Sequence, residues 1–395
     1  MAMVLHFRTF KEFIRSGSSG GILLLISVVI SLSLANSSWH SGFERLLSTE
    51  IGFNIPDIRL KYPLLQWINE GLMSIFFLLV GLEIKREVME GELSSVRQAS
   101  LPVCAALGGA ALPAMIYGLI NIHTGTLNGW GIPMATDIAF ALGILSLLGK
   151  KIPASLKIFL AALAIVDDLI AILVISLFYS AELHLNYLLY ASVIFLLMIA
   201  FNRLKIKNLL FYMLPGLILW YCIHQSGIHA TIAGVLIAVA IPAERSASGS
   251  PLEKLEQLLV NPVNFVIMPV FALANTPIRF KEDMINGLCG TVGLGILIGL
   301  LLGKPVGIIL SCWLVVKLKL ASLPHQAKWV HLLGIGLLGG IGFTMSVFIA
   351  LLSFKELQLQ TGSKFAILIA STLSALSGYL VLSTTKRDKI NRLNS

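Results

Sequence analysis

Two adjacent acids in an apolar segment are the residues of this sequence best suited to chemistry. Asp167 and Asp168 follow Leu-Ala-Ile-Val and precede Leu-Ile-Ala-Ile-Leu, with no base beside them. Neighbouring residues of a helix point about 100° apart, so the two carboxylates meet different surroundings. Mutual repulsion and removal from water both favour protonation, so a proton and a small cation are expected to compete for one site near neutral pH. A structural acid held by hydrogen bonds or by a single ion pair is the alternative.

A third acid, Asp137, lies in a segment that is predicted to break. Pro133 removes a backbone donor and two preceding glycines loosen the chain, which predicts a discontinuous helix within 131–148. The break would free carbonyls that can coordinate a cation, with the Thr136 hydroxyl beside them. Asp137 would offset the positive end of the following half-helix. A kinked helix with a capping aspartate is the alternative.

A second break is predicted within 330–353, where glycines cluster around Gly340 and Gly342. Paired interrupted spans in matching positions are typical of the central binding site of a transporter. Aligning residues 131–133 with 340–342 suggests two inverted repeats, at about 101–180 and 288–385. Glycines that only permit close helix packing are the alternative.

Two further ionisable residues fall in apolar segments. Lys304, in Gly-Lys-Pro, is expected to counter Asp168 or Asp137, because an ammonium in a membrane needs an acid or a helix end. His229 titrates in a range suited to pH sensing, although a single histidine is more often a hydrogen-bonded core residue.

The elements that position these residues follow from composition. The 395 residues are 56% apolar and only 12% charged, and the mean hydropathy is +0.88. These values exclude a disordered chain and a disulfide scaffold, and they indicate lipid as the solvent. We therefore predict a single all-α polytopic membrane domain, 1–395, with about twelve spans, eleven or thirteen being the alternatives: 20–36, 66–84, 101–121, 131–148, 155–179, 187–201, 208–223, 227–241, 257–275, 288–316, 330–353 and 364–385.

The basic residues predict the orientation of these spans. With the N-terminus inside, 21 of the 29 basic residues fall on the cytoplasmic side and 7 outside. This bias follows the positive-inside rule and predicts that both termini are cytoplasmic. It also explains the net charge of +9 without a nucleic-acid partner. Outside, alternating apolar residues predict a β-hairpin at about 45–61, which could pair with a second copy, although an ordinary loop is the alternative.

The chain resembles the NhaA family of sodium/proton antiporters over essentially its whole length. Six motifs carry the resemblance: FFLLVGLEIKRE at 76–87, PMATDIAFA at 133–141, AIVDD at 164–168, SGIHA at 226–230, GKP at 303–305 and GGIGFTM at 339–345. The resemblance implies an inverted-repeat transporter of the bacterial inner membrane, not an enzyme and without a cofactor. It would extrude Na+ or Li+ for two external protons per cation and so regulate internal pH and sodium.

The resemblance also assigns roles to residues. Asp167 and Asp168 would bind the cation and the protons, supported by Asp137, Thr136 and Lys304, and the hairpin would form a homodimer contact. A pH-sensing region would comprise five residues: Glu83, Arg86, Glu87, His229 and Glu256. Histidines found beside the last acid in some members are replaced here by Gln257 and Val260.

Two other functions are alternatives to cation exchange. An intramembrane aspartyl protease needs a GxGD signature on a separate helix, which the sequence lacks. A proton-coupled carrier of a small organic solute could share the same fold. An anionic solute would need a free base, and Lys304 is the candidate for that role.

Overall fold

A computed structural model describes residues 19–55, 58–180, 183–244, 250–280 and 283–385. It is built almost entirely of helices: α1 (Ser19–Ala35), α2 (His40–Ser48), α3 (Leu64–Glu90), α4 (Val96–Asn121), a 3₁₀ helix (Leu127–Met134), α5 (Ile138–Leu147), α6 (Ala154–Phe178), α7 (Leu185–Arg203), α8 (Leu210–Gln225), α9 (Thr231–Ala240), α10 (Pro251–Asn275), α11 (Asp283–Cys289), α12 (Thr291–Lys317), α13 (Trp329–Gly339), α14 (Phe343–Ser353) and α15 (Leu357–Thr384).

The chain is an all-α polytopic membrane protein, as predicted. Within the described residues, eight helices are long and apolar enough to cross a bilayer, and two bent pairs bring the number to ten. The bends are 112° between α1 and α2 and 45° between α13 and α14. The remaining apolar helices, α8 and α9, have only 16 and 10 residues.

Each of the twelve predicted segments overlaps at least one of these apolar helices, but the helix bounds differ from the predicted ones. The predicted span 66–84 extends to Glu90 as α3, so Lys85 and Arg86 lie within a helix rather than in a loop. Hydropathy detects apolar residues, whereas a helix continues through polar ones until its backbone hydrogen bonds end. The basic residues near both termini, together with Arg245 and Lys281, lie outside the described residues, so the orientation stays a prediction.

The elements form two compact units. Among the described residues, the first combines those within 19–22, 95–167 and 283–385, and the second combines those within 23–94 and 168–280. The predicted repeats, 101–180 and 288–385, fall mainly in the first unit. Within that unit α4 and α12 approach closely, since a Cβ on Gly307 would overlap the Gly108 carbonyl oxygen. Such contact between small residues is typical of packed membrane helices.

Short strands occupy 50–63, whereas the hairpin was predicted at 45–61; residues 45–48 belong to α2 instead, and the last strand lies beyond 61. Glu50–Ile51 pairs antiparallel with Tyr62–Pro63, and Asn54–Ile55 pairs antiparallel with Ile58–Arg59. The Pro56-Asp57 dipeptide lies outside the described residues. Which side of the membrane carries these strands, and whether they contact a second copy, stays a prediction.

Three helices contain a π-helical turn. These turns are Trp67–Leu72 in α3, Val263–Ile267 in α10 and Gly299–Gly303 in α12. A π turn bonds residue i to i+5 and is frequent at functional sites. The first contains Glu70, and the third ends immediately before Lys304.

Candidate functional site

Both predicted helix breaks are confirmed, and they meet in the first unit. The 3₁₀ helix ends at Met134 and α5 begins only at Ile138, while α13 and α14 are separated by 340–342. The breaks bond to each other: the Asp137 N–H donates to the Ile341 carbonyl at 2.6 Å, and the Ser346 hydroxyl donates to the Ile132 carbonyl at 2.7 Å. Each break therefore satisfies backbone groups that the other leaves without helical partners.

Asp137 caps two half-helices at once. One carboxylate oxygen accepts from the Phe140 N–H at 3.1 Å, at the start of α5. The other accepts from the Thr344 N–H at 3.1 Å, in the first turn of α14, and from the Thr344 hydroxyl. A carboxylate suits this place because both helix N-termini carry partial positive charge. The sequence predicted the first cap but not the second.

Asp137→Ala is expected to lower the free energy of unfolding by about 2–4 kcal/mol, because it removes two caps and leaves their donors buried. Thermal unfolding of the purified protein in detergent measures the loss. Ser250→Ala is the matched control, since Ser250 caps α10 alone and its removal should cost only about 1 kcal/mol. An Asp137→Ala loss no larger than that of Ser250→Ala would contradict the double cap.

Lys304 binds Asp167. Its Nζ lies 2.8 Å from Asp167 Oδ2 and also donates to the Met134 carbonyl, which the first break frees. Lys304 is 0% and Asp167 2% exposed. We predicted Asp168 or Asp137 as the partner of Lys304, and the structure corrects this to Asp167. The partner of Lys304 depends on the direction in which its side chain points. The π turn before Lys304 affects this direction, and the sequence composition does not show that turn.

The two oxygens of Asp167 have different surroundings. Besides Lys304, Oδ2 lies 2.6 Å from the Thr136 hydroxyl, which is also 2.9 Å from the Gly339 carbonyl. Oδ1 is buried and accepts no hydrogen bond within the described part of the chain. A buried oxygen with free lone pairs is the kind of ligand that hard cations take.

Asp168 follows Asp167 on α6 and is 1% exposed. The helix therefore buries two neighbouring carboxylates. The structure brings Asp137, Thr136, Asp167 and Lys304 together in the first unit and adds Thr344, which the sequence analysis did not single out. The Gly-Phe-Thr run after the second break indicated a threonine at the start of a half-helix. The sequence did not indicate that Asp137 is its partner, because this contact forms only where the two breaks meet.

Four of the five predicted pH-sensing residues cluster in the second unit. Arg86 lies 3.2 Å from Glu87 and 3.2 Å from Glu256, and Glu83 interacts electrostatically with all three. Charged groups of both signs thus share a partly buried surface at the end of α3. In such a cluster, a change in the charge of one residue alters the electrostatic interaction energy of the other charged residues.

The structure does not bring His229 to this cluster. Its Nδ1 lies 3.6 Å from Glu70 Oε1, and its Nε2 lies 2.8 Å from the Tyr179 carbonyl. Glu70 precedes Glu83 by thirteen residues on α3, about 20 Å along the helix. His229 and the Arg86 cluster are therefore associated with opposite parts of α3.

Comparison with known proteins identifies relatives of nearly the whole chain. The sequence model of the family described as Na+/H+ antiporter 1 matches residues 11–382. A relative from Flavobacterium johnsoniae, named Na(+)/H(+) antiporter NhaA 2, is 60% identical over 98% of this chain and 96% of its own length. NhaA antiporters of Shewanella frigidimarina and Caulobacter vibrioides are each 47% identical over 95% of this chain, covering 96% and 91% of their own lengths. From its first apolar helix to its last, the chain belongs to the NhaA family of Na+/H+ antiporters.

Proposed function

We propose that this protein exports Na+ or Li+ across the bacterial inner membrane in exchange for protons, two entering for each cation that leaves. The observation that carries the proposal is the buried acid pair, Asp167 and Asp168, with Lys304 bound to one oxygen of the first. A buried carboxylate that must be balanced by either protons or a cation can couple the two fluxes. Family membership supports exchange over transport of an organic solute, and so does the Lys304–Asp167 pair, since this base is not free to hold an anion.

In the proposed cycle, Na+ from the cytoplasm displaces protons from Asp167 and Asp168. The cation then leaves on the outer side, and protons from outside neutralise the acids for the return. Lys304 and Thr136 hold Asp167 Oδ2 in place and leave Oδ1 to the cargo. Asp137 keeps the two half-helices in register while the charge of the site changes.

Fluorescence dequenching in everted vesicles tests the exchange itself. Addition of Na+ or Li+ should release the accumulated protons, whereas K+ should not. The same assay across several pH values measures the pH at which exchange begins, which the proposal assigns to the Arg86 cluster. Proton release by K+ equal to that by Na+, or release by none of these cations, would overturn the proposed function.

The stoichiometry predicts a movement of charge. Exchange of two protons for one Na+ carries one net charge per cycle, worth about 2.3 kcal/mol at 100 mV. In proteoliposomes with equal, strongly buffered pH on both sides, an inside-negative potential of about 100 mV should therefore lower internal Na+ about fiftyfold below external Na+. Na+ flux measured with the potential set by K+ and valinomycin checks this. Equal Na+ on both sides at every potential would show electroneutral exchange.

Three further assignments belong to this proposal. The described strands between 50 and 63 would contact a second copy, the dimer would lie in the lipid bilayer, and both termini would be cytoplasmic. Mass measurement of the protein with and without residues 50–63 tests the dimer contact. Accessibility of single cysteines introduced near each terminus tests the orientation.

A further inference from the structure

The short helix α9 poses a physical problem. Its ten residues extend only about 15 Å, half of the roughly 30 Å of hydrocarbon in a bilayer. The first N–H groups and last carbonyls of a helix have no partners within it. In a membrane protein such groups need other partners, because lipid supplies none.

Both ends of α9 are bound by charged side chains of α3. Just before its first residue, the Ala230 N–H donates to Glu70 Oε2 at 3.0 Å. At the other end, Lys85 Nζ donates to the carbonyls of Val239 at 2.7 Å and Ile241 at 2.5 Å. The anion is at the positive end of the helix dipole and the cation at the negative end, so both contacts are favourable.

Between these ends the two helices touch backbone to backbone. A Cβ on Gly234 would overlap the Ser74 carbonyl oxygen, and a Cβ on Gly81 would lie 2.7 Å from the Ala238 Cβ. The order of these contacts shows that α3 and α9 run parallel. Glu70 and Lys85 are separated by about 22 Å along α3, enough to bracket all of α9.

The clamped helix faces the part of α6 that follows the acid pair. Thr231, Ile232 and Val235 of α9 line a small apolar pocket together with Ile172 and Ile175 of α6. Ile172 lies one helical turn after Asp168. Side chains of α9 therefore form part of the surface that this turn of α6 meets.

We infer that Glu70 and Lys85 are paired positioning residues that clamp α9 by its two ends and so hold the turn of α6 after Asp168. Glu70 has further neighbours on the same side, His229 at 3.6 Å and His224 at 4.0 Å, and the Trp220 indole N–H donates to its backbone carbonyl. The clamp itself goes beyond the proposed exchange. Only its effect on Na+ binding rests on that function.

Amide hydrogen exchange tests the clamp without any transport. In purified protein, Lys85→Met and Glu70→Gln should each speed exchange of the amides of 230–241 by about fivefold, because each removes one charge from a helix end. Lys85→Arg should restore slow exchange. The amides of α7, Leu185–Arg203, serve as the internal reference. Lys205→Met is the matched control, since Lys205 is exposed and pairs only with the surface acid Glu244 among the contacts described.

Na+ dependence in proteoliposomes then tests the positioning role. The half-saturating Na+ concentration should rise at least about threefold in Lys85→Met and Glu70→Gln and return toward the wild-type value in Lys85→Arg. Unchanged exchange of 230–241, or equal acceleration in α7, would overturn the clamp. Faster exchange in α9 with unaltered Na+ dependence would overturn the positioning role. Absence of Na+ exchange in the wild-type protein would instead refute the proposed function. The clamp would then be judged by amide hydrogen exchange alone.

Discussion

Replacing either Asp167 or Asp168 by asparagine is expected to abolish Na+-dependent proton flux, a loss of at least about a hundredfold. Asparagine has nearly the shape of aspartate, but it carries no charge to balance Na+ and takes up no proton at neutral pH. A site that exchanges protons for a cation therefore loses both halves of its cycle at once. Dequenching in everted vesicles, normalised to the inserted protein, measures the loss.

Glu244→Gln is the matched control for this experiment. It makes the same carboxylate-to-amide change at a side chain that is 59% exposed and paired with Lys205, so it should leave the flux unchanged. Normal Na+-dependent proton flux in both aspartate variants would refute the assignment of the ion site. Loss in one alone would limit the essential carboxylate to that residue and contradict the two-acid cycle.

Removal of the ammonium from the other side of the ion pair should produce the largest effect on stability. Lys304→Met leaves Asp167 buried with no cation beside it among the described residues, and one-sided removal of a buried pair costs about 3–5 kcal/mol. Methionine fills a similar volume, so the loss reflects charge rather than packing. Thermal unfolding of the purified protein in detergent measures it.

The double variant Asp167→Asn/Lys304→Met separates charge from shape. Replacing both members of a buried pair by neutral groups is often close to neutral in stability. We therefore expect the double variant to recover most of the stability lost by Lys304→Met while still transporting no Na+. If it unfolds as readily as Lys304→Met, the lost stability does not come from the unpaired Asp167 carboxylate.

The charged residues of the site could be predicted because an apolar chain makes them conspicuous. Asp137, Asp167 and Lys304 are visible as ionisable groups in segments that lipid should keep neutral. The first break was predictable as well, because Pro133 cannot donate a backbone hydrogen bond. Both signals are local and need no knowledge of what lies beside the segment.

The partners of these residues could not be predicted, because they come from remote parts of the chain. The second cap made by Asp137 exists only where two breaks meet, and its donor, Thr344, is 207 residues away. The contacts of Glu70 with Ala230 and of Lys85 with Ile241 bridge 160 and 156 residues. Hydropathy also placed a span at 227–241 without showing that its helix has only ten residues, and that length is what makes both contacts necessary.

The π turns in α3 and α12 have a consequence for insertions and deletions in this chain. A π turn holds one residue more than the α-helical turn it replaces, so the helix beyond it is rotated by about 100°. Deletion of one residue from Gly299–Gly303 would let α12 become regular, yet it would turn Lys304 out of line with one of its neighbours. In α3, where Glu70 lies within the turn itself, a deletion would change the direction of Glu70 relative to the rest of the helix. The one extra residue in each π turn thus sets the direction in which the charged side chain points. The number of residues in these two helices therefore matters to the geometry of the charged groups, as the side chains themselves do.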